Sequence, residues 1–134
     1  MSDPNKSETE KISFSFIKAF EQGNEKQLEQ LLSEDVINYV TNAQGGVDKL
    51  EGRKSYLDRI KAMNISSVKL KLNITQLLVI NAHQALVMIE VKAQRHEKTL
   101  HNHAAFLVNI KNNQISEMWM VEALPAYSDT FWKE

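Results

Sequence analysis

The sequence predicts an α+β domain in which three helices precede one curved antiparallel sheet. Two observations carry that reading. Up to Met63 apolar residues recur mostly at helical spacing, interrupted by one short stretch rich in β-branched residues, whereas from Ser66 onward long strand-like segments follow one another with brief polar breaks. The 134 residues are the size of one domain, a length at which roughly two-thirds of the unfolded surface is buried on folding.

The elements follow in order. Residues 1–6 read as a disordered tail, and Ser7 with Glu10 has the spacing of a capping box, so the first helix is expected to start there. Ile12, Phe16, Ile17 and Phe20 share one helical face, Gly23 stops the helix, and Asn24 can cap a second one carrying Leu28, Leu31 and Leu32. Asp35 to Thr41 (DVINYVT) reads as a strand that runs into the turn-forming NAQGG. A third helix spans Gly52 to Met63, with Tyr56, Leu57 and Ile60 on one side. Polar breaks at Asn81-Ala82, His96-Glu97 and Asn112-Asn113 then divide the rest into a four-stranded meander. The third break is the strongest turn signal, because Asn tolerates the positive φ of a two-residue hairpin. The domain proper is expected to span 7–124, and residues 125–134 form a tail whose aromatic residues fold back on the body.

Composition narrows the function. Sixteen basic and seventeen acidic side chains leave a formal charge of -1, so no electrostatic excess exists to hold a nucleic acid or an anionic membrane. Without cysteine there are no disulfides, thiolate nucleophiles or iron–sulfur clusters, and any metal would need His and carboxylate ligands. The opening MSDPNKSETEK carries no apolar run and nothing approaches the roughly 18 apolar residues of a membrane span. A cytoplasmic protein is the expectation.

The hairpin tips set the strand registers. With Asn112-Asn113 as one tip, His103 faces Glu122, Ala105 faces Met120 and Phe106 faces Trp119. With His96-Glu97 as the other, Glu90 also faces His103, and Lys92 faces His101. Glu90, His103 and Glu122 would then stand in a row across three strands, with neighbouring Cβ atoms about 5 Å apart. Such a row can relay protons, because imidazole titrates near neutrality and a carboxylate beside it fixes its tautomer. The competing reading is a solvated sheet face on which opposite charges face each other. A one-residue slip would break the row, since each slip flips a strand's faces. His101 and His103 also form an H-x-H pair with a carboxylate in reach, a ligand set known for zinc and iron. That spacing alone is a weak signal, and no metal is assigned.

The sheet's two faces differ. One carries Leu72, Ile74, Val87, Ile89, Val91, Leu100, Ala104, Phe106, Val108, Ile110, Ile115, Trp119 and Val121. The other mixes Leu77, Leu86, Met88, Ala105, Leu107, Met118 and Met120 with Lys71, Asn73, Glu90, Lys92, His101, His103 and Glu122, and has the character of a pocket wall. Patterning alone puts the helices on the apolar face. The mixed face lines a pocket only if something else, most simply a second copy of the chain, covers the apolar one.

The order of elements and the ending LHNHAAFLVNIKNNQISEMWMVEALPAYSDTFW resemble the nuclear transport factor 2-like superfamily, and within it the SnoaL-like branch. The resemblance covers Glu8 to Leu124 and is most specific from Phe106 to Glu122. It implies a cone-shaped, cystatin-like domain with helices lying in a bent sheet around a deep pocket, and a homodimer formed through the outer sheet face. It names no reaction, because the superfamily includes isomerases, cyclases, dehydratases, epoxide hydrolases and proteins that only bind. In ketosteroid isomerase, a worked case of pKa tuning, the base is an Asp late in the first strand; Val40 stands at the matching place here, and the oxyanion-side acid matches Ala105 or His103. SnoaL-like cyclases use an acid in the last strand and a His on the one before, for which Glu122 and His103 or His101 are nearest.

These readings assign His103 to proton transfer, Glu122 to orientation or acid chemistry and Glu90 to tuning. His101, Asn38, Tyr39, Phe16, Phe20, Tyr56, Met88, Leu107, Met118 and Met120 are the candidate ligand contacts, core packing being the competing role of the aromatic ones. The expected function is binding of a small hydrophobic molecule, with acid–base chemistry that needs no cofactor. The alternative is a non-catalytic ligand-binding or protein-association domain.

Overall fold

Helix α1 (Pro4–Gln22) opens the computed structural model, which describes residues 4–133. The helix starts ahead of the expected cap, so Ser7 and Glu10 lie within it; proline's fixed φ and missing N–H suit a first helical position. Residues 4–6 are therefore helical rather than disordered, and residues 1–3 lie outside the described part. Gly23, at φ 63°, ends α1. Asn24 caps α2 (Glu25–Leu31) by accepting a 3.2 Å hydrogen bond from the Gln27 N–H.

Leu32, expected in that helix, instead begins strand β1 (Leu32–Thr41). The turn after it leads to β2 (Val47–Glu51), a strand the sequence reading did not contain. With two apolar residues in VDKLE and both faces half solvated, β2 offers almost no alternation to read. Gly52 at φ 93° turns the chain into α3 (Arg53–Met63), and a 3-10 turn at Ile65–Ser67 leads to the meander. Its strands are β3 (Lys71–Asn81), β4 (Gln84–Arg95), β5 (Lys98–Lys111) and β6 (Gln114–Glu122), followed by α4 (Pro125–Trp132). Asn112 and Asn113 both take positive φ, as the hairpin argument required. The expected fold class is borne out, with a six-stranded sheet in the order β2-β1-β6-β5-β4-β3 and only the β1–β6 pair parallel.

The helices cover the apolar face. Ile12, Phe16, Ile17 and Phe20 of α1 are buried against Leu72, Val87, Ile89, Phe106 and Val108, with the Phe16 and Phe106 rings edge to face at 5.6 Å. Phe16 is core, without exposure. The Glu21 carboxylate accepts a 2.7 Å hydrogen bond from the Leu72 N–H, tying α1 to β3. The C-terminal segment folds back as α4: Phe131 joins Ala93 and Leu100 in a second cluster, and the Arg95 guanidinium lies over the Phe131 and Trp132 rings.

One register departs from expectation, and its consequence reaches the site. Strands β4 and β5 pair as derived, Glu90 with His103 and Lys92 with His101. Strands β5 and β6 start in the expected register at Lys111–Gln114 and Ile110–Ile115, but a bulge at Ser116 shifts the rest by one residue. Glu122 therefore pairs with Ala104, not His103, and Phe106 with Met120. The slip exchanges faces: Met118, Met120 and Glu122 turn to the inner, helix-covered face, while Trp119 and Val121 turn outward. A bulge in β3 between Ile74 and Gln76 likewise brings Leu77 inward.

Candidate functional site

Between the inner sheet face, α3 and α4 lies a cavity of about 330 Å³. Its floor is apolar: Phe20, Ile60, Leu72, Ile89, Phe106 and Met120. Val40, at the place where the resemblance sought a base, is part of this wall and buried. Polar groups enter the cavity from three directions.

The first is Asn38 on β1, only 1% exposed, whose side-chain nitrogen and oxygen both lack a hydrogen-bond partner. A buried amide left unpaired costs roughly 1–3 kcal/mol, so its presence in a cavity wall calls for a partner group. The second is Glu122, the final residue of β6. Burial pushes its carboxyl above the usual glutamate range, against the opposing pull of the Ser128 hydroxyl and the Arg59 charge; Asp129 adds to the upward push. Asn102, 1% exposed on β5, holds it in place: its Nδ2 donates to Glu122 Oε2 at 3.3 Å and to the Leu124 carbonyl at 3.1 Å. The Asn102 side-chain oxygen accepts from the Leu124 N–H, also at 3.1 Å, and the Glu122 N–H donates to Thr41 Oγ1 at 3.1 Å. The third is a polar rim. Asp48 accepts from Asn42 Nδ2 and Arg59 Nη1, both at 3.1 Å, and these two hydrogen bonds hold its carboxyl below the usual range. Tyr56, buried and stacked on Phe16 at a centroid distance of 6.4 Å, also lines the space; burial raises its phenol and keeps it neutral.

The expected row of Glu90, His103 and Glu122 does not form. Glu90 and His103 occupy the outer face, and the Ser116 bulge carries Glu122 to the other side of the sheet. His101 is exposed beside them, with its Nε2 2.7 Å from Glu90 Oε2. That contact, with a hydrogen bond from Asn73, holds the Glu90 carboxyl below its usual value. Met88, Leu107 and Ala105 also face outward, and Tyr39 stacks flat on Trp119 at 5.3 Å on that side. Met118 is buried in the core beside the cavity. Of the candidate ligand contacts, Phe20, Asn38, Tyr56 and Met120 line the cavity; Phe16, Tyr39, Met88, His101, Leu107 and Met118 do not. Of the three residues assigned chemistry, Glu122 alone reaches it. The mixed face is thus the outer surface, because the helices follow the more apolar side of the sheet.

Sequence reasoning missed Asn102, Asp48, Arg59 and Ser128. Asn102 was detectable: it sits between two histidines in LHNHAAF at the inward parity shared by Leu100 and Ala104. Asp48 and Arg59 gave no signal, since a salt bridge across a turn and a helix has no fixed spacing.

No protein-family model matches the chain, and no curated protein matches it. Solved structures do. Bal32a from a soil-derived mobile gene cassette superposes with a TM-score of 0.82 at 15% identity, covering 96% of this chain and 98% of its own. An LEH-like epoxide hydrolase from M. tuberculosis has a TM-score of 0.77 at 11% identity, covering 97% and 93%. A protein from Jannaschia sp. CCS1, provisionally described as a SnoaL-like polyketide cyclase, has a TM-score of 0.79 at 8% identity, covering 100% and 98%. The chain therefore has the fold of the SnoaL-like proteins that its sequence resembles.

Proposed function

We propose that the inner cavity binds a small, largely apolar molecule with a polar group at each end, and that Glu122 exchanges a proton with it. The observation that carries this reading is the unpaired Asn38 amide in an otherwise apolar wall. A partner with one acceptor and one donor side by side, such as a carboxamide, a carboxylic acid or a hydroxy ketone, satisfies both amide atoms. Val40 pairs with Met120, so Glu122 stands level with position 42, four residues along from Asn38. The two backbone positions lie roughly 13 Å apart along the strands, which suits an elongated molecule, and the cavity is at the small end of the ~300–1,000 Å³ typical of ligand sites.

A carboxyl raised by burial is a better proton donor near neutral pH than a surface glutamate, and Asn102 fixes its position by donating to Oε2. Such a group serves isomerisation, ring closure, dehydration or epoxide opening without a cofactor. A purely binding role is favoured by one specific feature: Val40 and Ala104 supply no second base, and Asp48 is engaged by Arg59 and Asn42. The outer face, with Leu78, Ile80, Met88 and Val121 exposed, supports a second copy of the chain as the partner there.

The test is ligand-observed NMR with matched probes, naphthalene carboxamide and ethylnaphthalene, on wild type and Asn38→Leu. The proposal expects the carboxamide to be preferred by wild type and the preference to reverse in the variant. Equal preference in the two proteins contradicts it.

A further inference from the structure

On the far side of the sheet from the cavity, three side chains meet that the proposed function does not use. Glu90 of β4 is directly paired with His103 of β5, and His101 lies two residues along β5 on the same face. One ligand atom from each of the three can be chosen so that all lie within 4.8 Å of one another, and His101 Nε2 is 2.7 Å from Glu90 Oε2. The two imidazole rings are 5.5 Å apart, centroid to centroid. We propose that Glu90, His101 and His103 form a binding site for a divalent transition cation of the zinc type on the outer sheet face.

Donor type, spacing and support agree on this. Two imidazoles and one carboxylate suit zinc, cobalt and nickel and are poor ligands for calcium or magnesium, which take oxygen. Bonds of about 2.0–2.2 Å in a tetrahedral zinc site put ligand atoms about 3.4 Å apart. The 2.7 Å contact is shorter than that value and the 4.8 Å limit is longer, so rotation of the side chains is the adjustment that would bring the three donors onto one ion. The scaffold is rigid, since β4 and β5 are interior strands of the sheet, paired on both edges. The carboxylate is also oriented from behind: Asn73 Nδ2 donates to Glu90 Oε1 at 3.3 Å and leaves Oε2 to the ion, the outer-shell arrangement that supports ligands in metal sites. Three protein ligands leave a fourth position for water or another small ligand. Lys92, paired with both His101 and Lys71, is the charge that opposes the cation, and the Glu90 carboxylate offsets it.

The site is separate from the cavity, so metal binding there stands or falls independently of the proposed ligand. The experiment is calorimetric titration of zinc chloride into chelator-treated protein, with visible absorption of the cobalt-loaded form, for wild type, His101→Ala, His103→Ala, Glu90→Gln and the control His83→Ala on the β3–β4 turn. One ion per chain is expected for wild type and the control, with an absorption band of low-symmetry cobalt. Each of the three ligand substitutions should weaken binding on the order of tenfold or more. The substituted residues lie on the outer face, away from the core, so without metal each variant should stay folded with a thermal midpoint only slightly changed from wild type. Absence of saturable one-to-one uptake by wild type overturns the proposal, as does uptake that the three substitutions leave unchanged.

Discussion

Glu90 and Glu122 stand two strands apart on one sheet, and the two faces of that sheet drive their carboxyl groups in opposite directions. On the outer face, water screens Glu90 while His101 and Asn73 stabilise its charge, so it gives up its proton more readily than an ordinary glutamate. On the inner face, Glu122 loses solvent, and the hydrogen bond from Ser128 offsets that loss only in part. The difference teaches that the parity of a residue along its strand decides its chemistry here. A single bulge at Ser116 sets that parity for Glu122.

The contrast between faces can be broken most severely in the core. Phe106→Ala should cost about 3–5 kcal/mol, because its side chain is 2% exposed and packed on Phe16. Leu107→Ala, next in sequence but outward, should cost roughly 1 kcal/mol in urea unfolding. An equal loss from both would mean that the outer face is covered in solution as fully as the inner one, and the loss at Leu107 would then grow with protein concentration.

That pair also marks what the sequence could reveal. The fold class, the meander, the two-asparagine turn and the β4–β5 register were legible because each depends on local patterning or on a turn that fixes its strands. The β2 strand was not, since VDKLE carries too few apolar residues to show a period. Nor was the partnership of Glu122: counting back from Asn112-Asn113 is correct only as far as Ile110–Ile115. Beyond the bulge, the inward run Met118, Met120, Glu122 is out of phase with Ile115. Hence Phe20, Asn38, Tyr56, Met120 and Glu122 line the inner cavity, while His103 and Glu90, expected in a row with Glu122, lie on the opposite face of the sheet.

A smaller effect of opposite sign should come from Asn38→Leu. Leucine has similar volume and removes two unpaired buried polar atoms, so the variant should be more stable than wild type by about 1–3 kcal/mol. A thermal midpoint below wild type would show that the amide is already satisfied within the protein. Stability gained together with loss of the carboxamide preference would identify Asn38 as a residue kept for binding at the expense of the fold.

The pH dependence is the finest comparison. Because Glu122 titrates higher in the folded protein than in the unfolded chain, the native state holds the extra proton between those two values, and its contribution to stability falls as pH rises through that window. Glu90 has the reverse sign: its contribution is present above the unfolded value and is lost as pH falls through the lower folded value. Glu122→Gln should remove the first dependence and leave the second, as read by urea midpoints measured from acid to neutral pH.

Carbon-detected NMR titration of the glutamate side-chain carboxyls, with Glu90→Gln and Glu122→Gln to assign the two signals, tests the separation of the faces most directly. Glu122 is predicted to titrate above the ordinary glutamate value and Glu90 below it, in the same sample. A Glu122 midpoint at or below that of Glu90 would contradict an enclosed acid on the inner face.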